Sequence, residues 1–228
     1  MIVSIHQPNY IPWLGFFNKV LLSDVYVVFD DIQYPRGKDY ANRNQIKTNN
    51  SKLWLTIPVI GKSELRPWNK IELNNNGWQQ KHLSTIKTFY KKAPYFENYY
   101  PQLEEIYLKE YKLLADFNLD LIKYFLYTLG VQNEHIKIVR SSDIKTDLKG
   151  IDKILYILKQ VQATKYISGS GEGSKKYIKK EDFDKNNIEL IWQDYKHPVY
   201  KQLYEDFTSP LSIIDLLFNE GPNSKNII

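Results

Sequence analysis

Apolar and polar positions at the start of the chain predict a strand, a helix and a second strand. A predicted strand rich in β-branched residues lies at the start of the sequence and ends at His6. Apolar residues return with helical spacing over residues 14–22, and residues 25–29 are continuously apolar, as in a strand buried on both faces. Pro8 and Pro12 separate the first strand from the helix, because proline restricts its own φ and the preceding residue. This segment predicts one βαβ unit with parallel strands.

The remaining elements continue an α/β pattern. Further strands are predicted at residues 52–59, 71–73, 136–139, 165–168 and 188–193. Helices are predicted at residues 78–90, 99–117, 119–129, 150–161, 175–180 and 210–219, with a break at Asn118. We expect a Rossmann-like, mostly parallel sheet of about six strands with a helical insertion at about residues 78–130. No low-complexity linker interrupts the chain, so residues 1–228 are predicted to form a single α/β domain.

Polar side chains follow the first two predicted strands. His6 and Gln7 end one strand, and Asp30 and Asp31 end the next. Because the carboxyl ends of parallel strands meet at one edge of a sheet, these groups are expected to converge there. A histidine packed as a structural residue at the end of its strand is the alternative interpretation of His6.

A glycine-rich turn follows the predicted strand at residues 165–168. It contains Ser168, Gly169, Ser170 and Gly171. Glycines at the exit of a strand let the backbone approach a ligand and leave amides available for anions. The turn matches neither the Walker A motif nor G-x-G-x-x-G, which would need a glycine at Lys176. An ordinary surface turn is the alternative.

The segment from residue 33 to residue 47 is rich in planar hydrogen-bonding side chains. Arg36 and Arg43 are candidates for bidentate binding of a carboxylate or phosphate. Gln33, Tyr34 and Asn42 lie in the same segment. A solvated loop is the alternative interpretation.

Composition narrows the classes of function. The chain has 228 residues, a net charge of +5 and no cysteine, which excludes disulfides, thiolate zinc sites and a cysteine nucleophile. Its basic residues are scattered, so anionic small molecules are favoured over nucleic acid. No apolar stretch is long enough to span a bilayer, and a cytoplasmic protein is expected. The 18 tyrosines offer stacking surfaces for sugars or bases, although compositional drift explains them equally well.

The sequence resembles the WbqC-like family nearly from end to end. The resemblance rests on residues 6–16, on the block from Gln33 to Arg43, on residues 166–169, and on residues 197–200 with 211–221. It implies a role in biosynthesis of O-antigen and other bacterial surface polysaccharides. For some members of that family, transfer of glycine or another aminoacyl group to an amino sugar has been suggested.

The leading hypothesis is acyl or aminoacyl transfer, glycine included, to the amine of a nucleotide-linked amino sugar, forming an amide. His6 is the expected base, Asp30 would orient it, and Gln7 would donate to the oxyanion. The acyl donor, such as a carrier-protein thioester or an adenylate, is not visible in the sequence. The expected substrate-binding residues are Tyr10, Trp13, Lys19, Gln33, Tyr34, Arg36, Asn42, Arg43, Ser168, Gly169, Ser170, Gly171, Tyr195 and His197.

Three alternatives remain open. An ATP-dependent ligase of nucleotidyltransferase-like fold would form the same amide through an adenylate, with ATP and Mg²⁺ as cofactors. The H-x-G-H turn of that class lacks its second histidine here, where Phe16 stands. Metal catalysis would use His6, Asp30, Asp31 and His197. A non-catalytic sugar-binding protein of the same pathway is the third alternative.

Overall fold

The structure is a computed structural model that describes residues 1–37, 39–131 and 135–228; Lys38, in the predicted polar loop, lies outside them. Its strands are β1 (Ile2–His6), β2 (Val25–Val28), β3 (Arg43–Lys47), β4 (Lys52–Thr56), β5 (Val59–Ile60), β6 (Glu72–Leu73), β7 (Lys137–Arg140), β8 (Lys165–Ser168) and β9 (Glu189–Trp192). Its α-helices are α1 (Leu14–Leu21), α2 (Trp78–Tyr90), α3 (Phe96–Leu108), α4 (Leu114–Thr128), α5 (Gly150–Gln160), α6 (Glu172–Tyr177), α7 (Lys180–Asp184), α8 (Ile213–Glu220) and α9 (Ser224–Ile227).

The chain forms two compact units, each assembled from separate segments. Unit 1 consists of Met1–Gln7, Gly15–Asp31 and Val131–Lys196. Unit 2 consists of Pro8–Leu14, Ile32–Gly130 and His197–Ile228. The single domain spanning residues 1–228 stays a prediction.

Unit 1 contains a parallel sheet of five strands in the order β7-β2-β1-β8-β9. If the five strands are renumbered 1 to 5 in chain order, their order across the sheet is 3-2-1-4-5. This is the strand order of Rossmann folds. The predicted α/β, Rossmann-like fold is confirmed, with five strands in the sheet rather than about six. The difference arises because the segments predicted at 52–59 and 71–73 pair elsewhere, in two antiparallel ribbons of unit 2.

The core of unit 1 explains why its central strands are apolar at successive positions. Val3 and Ile5 of β1 pack with Val25 and Val27 of β2, and Ile157 of α5 belongs to the same buried cluster. All four residues of β2 are buried. A parallel strand covered on both faces must be apolar throughout, as the sequence pattern indicates.

Unit 2 contains the ribbons β3–β4 and β5–β6 and the helices α2, α3, α4, α8 and α9. The helical prediction at 78–130 is matched by α2 to α4, but the predicted break at Asn118 is wrong. Asn118 lies within α4, where its buried amide donates to the carbonyl oxygens of Pro8 (2.7 Å) and Ala41 (3.0 Å). The chain instead leaves the helical conformation over residues 109–113.

Smaller differences concern two other helices. The helix predicted at residues 175–180 is α6, Glu172–Tyr177, which begins directly after Gly171. The helix predicted at 210–219 begins at Ile213. Across the described parts of the chain, no helix combines the length and the apolar character needed to cross a bilayer.

Candidate functional site

The sheet order of unit 1 identifies where its ligand site should lie. From the central strand β1, the chain continues to β2 on one side, whereas β8 lies on the other side. In open α/β sheets, ligands bind beyond the carboxyl ends of the strands at such a switch point. The carboxyl end of β1 is His6, and that of β8 is Ser168. These two residues therefore mark the expected site.

A cavity of about 300 Å³ lies at this point and is built wholly from unit 1. Its lining contains the end of β1, the turn after β8 and one lysine of α1. The lining residues are Ile5, His6, Gln7, Lys19, Phe29, Ile154, Tyr166, Ser168, Gly169, Ser174, Tyr177 and Ile178. The opening histidine segment and the distant serine-glycine turn thus share one cavity.

The imidazole of His6 is held in one orientation. Its ring packs edge-on against Phe16, with 5.1 Å between the ring centroids. Nδ1 lies 3.1 Å from the carbonyl oxygen of Gln7, and this oxygen can only accept, so Nδ1 carries the proton in the neutral ring. Burial, reinforced by the nearby charge of Lys19, lowers the pKa of His6 to about 3. The imidazole is therefore neutral near pH 7, with Nε2 as its basic nitrogen.

Lys19 brings a buried amine to the same cavity. Only 4% of the residue is exposed, and Nζ donates to the carbonyl oxygen of Ile5 at 3.2 Å. Burial lowers the pKa of this amine to about 7. A lysine that is partly neutral near pH 7 is suited to proton transfer, which sequence reasoning did not assign to it. A lysine on the apolar face of a short helix is the sequence signal that points to such burial.

The serine-glycine turn contributes its first half to the cavity. Ser168 is buried and Gly169 half-buried, and both line the cavity, whereas Ser170 and Gly171 are exposed and lie outside the lining. Ser174 lines it as well, from the same glycine-rich stretch. Tyr166 was missed, although the two-residue period of a strand places it on the same face of β8 as Ser168.

Asp30 has partners that hold it as a structural group. Its carboxylate accepts hydrogen bonds from Arg140 Nε (2.6 Å), Ser142 N (3.1 Å) and the hydroxyl groups of Ser141 and Ser142. Asp31 is bound by Lys153 Nζ at 2.6 Å. Neither aspartate belongs to the cavity lining, and these bonds tie the end of β2 to the end of β7, to the segment that follows β7 and to α5. The expected orienting role of Asp30 beside His6 stays a prediction.

Tyr195 of unit 1 is half-buried, and burial raises its pKa. It does not belong to the residues that line the cavity. Its expected role against a ring face stays a prediction.

Two of the expected binding residues in unit 2 have contrasting environments. Tyr10 is fully buried, and its hydroxyl group bonds to Tyr107 and, at 2.9 Å, to Nδ1 of His82. These are the contacts of a core residue. Trp13 is half-buried, with its ring centroid 5.3 Å from that of Tyr40.

Three residues of the polar segment of unit 2, Tyr34, Asn42 and Arg43, make contacts that a solvated loop would lack. Arg43 begins β3, and its guanidinium carbon lies 4.1 Å from the ring centroid of Trp54. Asn42 donates to the carbonyl oxygen of Ile57 at 2.6 Å, and Tyr34 packs edge-on against Trp68.

The other expected residues of unit 2 are Gln33, Arg36 and His197. Gln33 and Arg36 are exposed. Nδ1 of His197 lies 2.8 Å from the carbonyl oxygen of Pro198, and its ring is near those of Tyr200 and Phe207.

Within the described residues, no group of three histidine, cysteine or acidic side chains is placed to hold a metal ion. The alternative ligand set of His6, Asp30, Asp31 and His197 therefore finds no support in this part of the chain. The residues that the unit 1 cavity does offer are amine, imidazole, hydroxyl and backbone amide groups. They suit proton transfer and the binding of an anion.

Comparison with known proteins gives the relatives of this chain. Residues 7–227 match the model of the WbqC-like protein family. The chain is 32% identical over 231 residues to the uncharacterized protein Rv1507c of Mycobacterium tuberculosis, covering 99% of this chain and 96% of that protein. No solved structure gives a significant match. On these matches, the chain belongs to the WbqC-like protein family.

Proposed function

We propose that unit 1 binds a nucleotide-linked amino sugar and transfers an acyl or aminoacyl group to its amine, forming an amide. One observation carries this proposal: His6, Lys19 and the turn at Ser168–Gly169 line a single cavity at the switch point of the sheet. The resemblance to proteins of surface-polysaccharide biosynthesis supports the choice of an amino sugar as acceptor.

The reaction joins the substrate amine to the carbonyl carbon of an activated acyl donor, either a thioester or an adenylate. The new C–N bond forms as the amine loses one proton, and the bond to the thiol or phosphate leaving group breaks. We assign the proton to the neutral amine of Lys19, because its pKa of about 7 matches the pH at which it must accept and release a proton. The proton then passes to the leaving group.

His6 has a different role in this proposal from the one expected from the sequence. With its pKa lowered to about 3, the imidazole is too weak a base to hold the substrate proton near pH 7. Its neutral Nε2 instead accepts a hydrogen bond from the substrate, while Nδ1 is fixed on the carbonyl oxygen of Gln7. His6 thus orients the acceptor sugar beside Lys19.

The turn after β8 supplies the anion-binding groups of the proposal. Gly169 and Ser174 line the cavity, and backbone amide and hydroxyl groups of this kind bind phosphate oxygens without a further charge. The hydroxyl group of Ser168 donates to the carbonyl oxygen of Gly169 and so holds the turn in shape. This assigns the nucleotide diphosphate to the turn and the sugar to the His6 and Lys19 side.

The test combines ligand binding with product analysis on the full chain. Thermal shift would be measured with UDP- and dTDP-linked amino sugars, with acyl-CoA species, and with ATP and Mg²⁺. We expect a nucleotide amino sugar to raise the melting temperature, and His6→Gln to abolish this shift while His135→Gln, at an exposed histidine, preserves it. Mass spectrometry of a reaction with a thioester donor should then show the acylated sugar.

Other outcomes separate the alternatives. A requirement for ATP and Mg²⁺ in amide formation would favour the ligase with an adenylate intermediate. Binding of the sugar without acylation by any donor class would favour a non-catalytic binding protein. Absence of a shift with every nucleotide sugar would overturn the proposal.

A further inference from the structure

A second cavity, of about 500 Å³, lies within unit 2 between strand β4 and the beginning of helix α2. We propose that this cavity binds an acidic sugar, with the sugar ring on Trp54 and its anionic group at the start of α2. Its lining belongs wholly to unit 2, and the proposal does not depend on the function proposed for unit 1. Its lining residues are Leu53, Trp54, Leu55, Thr56, Pro58, Asn76, Gly77, Trp78, Lys81, His82 and Thr85.

The charges of the lining favour an anion. Lys81 is cationic, and the lining contains no carboxylate. His82 is buried, and burial lowers its pKa to about 4, so its imidazole is neutral near pH 7. A negatively charged group entering the cavity therefore meets one positive charge and no repulsion from the lining.

The beginning of α2 adds backbone donors to this charge. The helix has 13 residues, no side chain caps its N-terminus, and its first turn contains no acidic residue. Gly77 precedes it with φ of 80°, which lets the backbone enter the helix without a side chain in the cavity. The amides of such an uncapped first turn favour an anion.

An independent observation points to a ligand at the same place. Trp78 is only 4% exposed and lines the cavity, yet its indole Nε1 has no hydrogen-bond partner among the described residues. Buried donors without an acceptor are unfavourable and rare. An oxygen atom of a bound anion would supply the acceptor that this N–H lacks.

The aromatic side of the cavity offers a surface on which a sugar ring can stack. Trp54 is 37% exposed, and its indole is held by the guanidinium of Arg43 at 4.1 Å from the ring centroid and by Tyr40 at 5.8 Å between centroids. An exposed indole fixed in this way offers a preformed stacking surface for the C–H face of a pyranose.

The rest of the lining distinguishes a sugar from an apolar acid. Thr56 and Asn76 line the same cavity with hydroxyl and amide groups that both donate and accept hydrogen bonds, and Thr85, whose hydroxyl group donates to the carbonyl oxygen of Lys81, adds an oxygen that can accept. Such groups match the hydroxyl groups of a sugar and offer little to an alkyl chain. A carboxylate, as in a uronic acid, and a phosphate, as in a sugar phosphate, share the required charge.

Isothermal titration of the full chain would test the proposal with glucuronate, glucose 6-phosphate, glucose and inorganic phosphate as probes. We expect glucuronate or glucose 6-phosphate to bind, and the stronger of the two identifies the anionic group. Glucose and phosphate should bind at least about tenfold more weakly, because glucose lacks the anionic group and phosphate lacks the sugar ring. Trp54→Ala should abolish binding, and Lys81→Gln should weaken it about tenfold and reduce its dependence on salt.

Lys91→Gln is the matched control, because Lys91 is an exposed lysine at the other end of α2. It should bind as the unchanged chain does. The proposal would be overturned if neither acidic sugar binds in the millimolar range, if glucose binds as well as glucuronate, or if phosphate alone binds as well as glucose 6-phosphate. Binding that survives Trp54→Ala would also overturn it. Circular dichroism of each variant would confirm that the chain is folded.

Discussion

Lys19 Nζ donates a hydrogen bond to the carbonyl oxygen of Ile5 at 3.2 Å, directly before His6 on the central strand. This bond places a buried amine beside the imidazole and at the carboxyl end of β1. The two basic groups influence each other, since the charge of Lys19 contributes to the lowered pKa of His6. Near pH 7 the imidazole of His6 is therefore uncharged, whereas the amine of Lys19, with a pKa of about 7, is present in both its neutral and its charged form.

The rate of amide formation should follow the titration of Lys19. We expect the rate to rise with pH and to level off above an apparent pKa of about 7, the lowered value of Lys19. Lys19→Met should reduce kcat by about 10²–10⁴-fold, the usual contribution of a general base. Lys159→Met, at an exposed lysine of α5, is the control. A rate that still rises with the same pKa in Lys19→Met would show that another group is the base.

The same lysine should make stability depend on pH. Its pKa is about 7 in the folded chain and 10.5 ordinarily, so the unfolded chain binds more protons between these values. The free energy of unfolding should therefore rise with pH across this window, by about 1.4 kcal/mol per pH unit from this group. Lys19→Met removes this slope and should be more stable than the unchanged chain at pH 7. Urea unfolding at pH 7 and pH 9 would measure how much the free energy of unfolding changes between these two pH values. An equal change in Lys19→Met and in the unchanged chain would contradict the prediction.

Gly169→Ala should separate binding from folding. The φ of Gly169 is not in the left-handed region, and an added Cβ would lie 4.0 Å from Ser174 Oγ, an ordinary contact. The variant should keep its melting temperature, but its methyl group occupies space beside the proposed phosphate position and should weaken nucleotide binding. Gly171→Ala, at an exposed position outside the cavity, should bind normally. Equal affinities for the two variants would place the phosphate elsewhere.

Asp30 should matter for stability. Its buried carboxylate joins Arg140, Ser141 and Ser142, and removing one member of a buried charged group is strongly destabilising. We expect Asp30→Ala to lower the free energy of unfolding by about 3 kcal/mol. Asp152→Ala, at an exposed residue of α5, should change it little. If Asp30→Ala unfolds at the same urea concentration but loses activity, Asp30 acts at the site after all.

The hydrophobic pattern was enough to predict the parallel sheet of unit 1, because its strands are continuous apolar runs. The strand ending at His6 and the turn beginning at Ser168 follow directly from such runs and from the glycines after them. Their meeting in one cavity needed the assumption that both strands are parallel neighbours, and the pairing of Ser4 with Ile167 confirms it.

Other features depended on contacts between residues far apart in the chain. Asn118 resembles a helix breaker, but partners at Pro8 and Ala41 satisfy its amide within α4. Strand β3 was missed because its polar Asn44 is buried, where it donates to the carbonyl oxygen of Ile11 at 2.7 Å. The lowered pKa of Lys19 likewise arises from tertiary burial; its place on the apolar face of α1 indicates that burial but not how complete it is.

The position of β1 at the centre of its sheet has a consequence for how the protein is made. β1 is synthesised shortly before β2, yet its other neighbour, β8, follows only at Lys165–Ser168. Until β8 has been synthesised, one edge of β1 has no partner and is exposed to pairing with other chains. The sheet cannot be completed before β8 is available, and this long-range pairing makes slow folding expected.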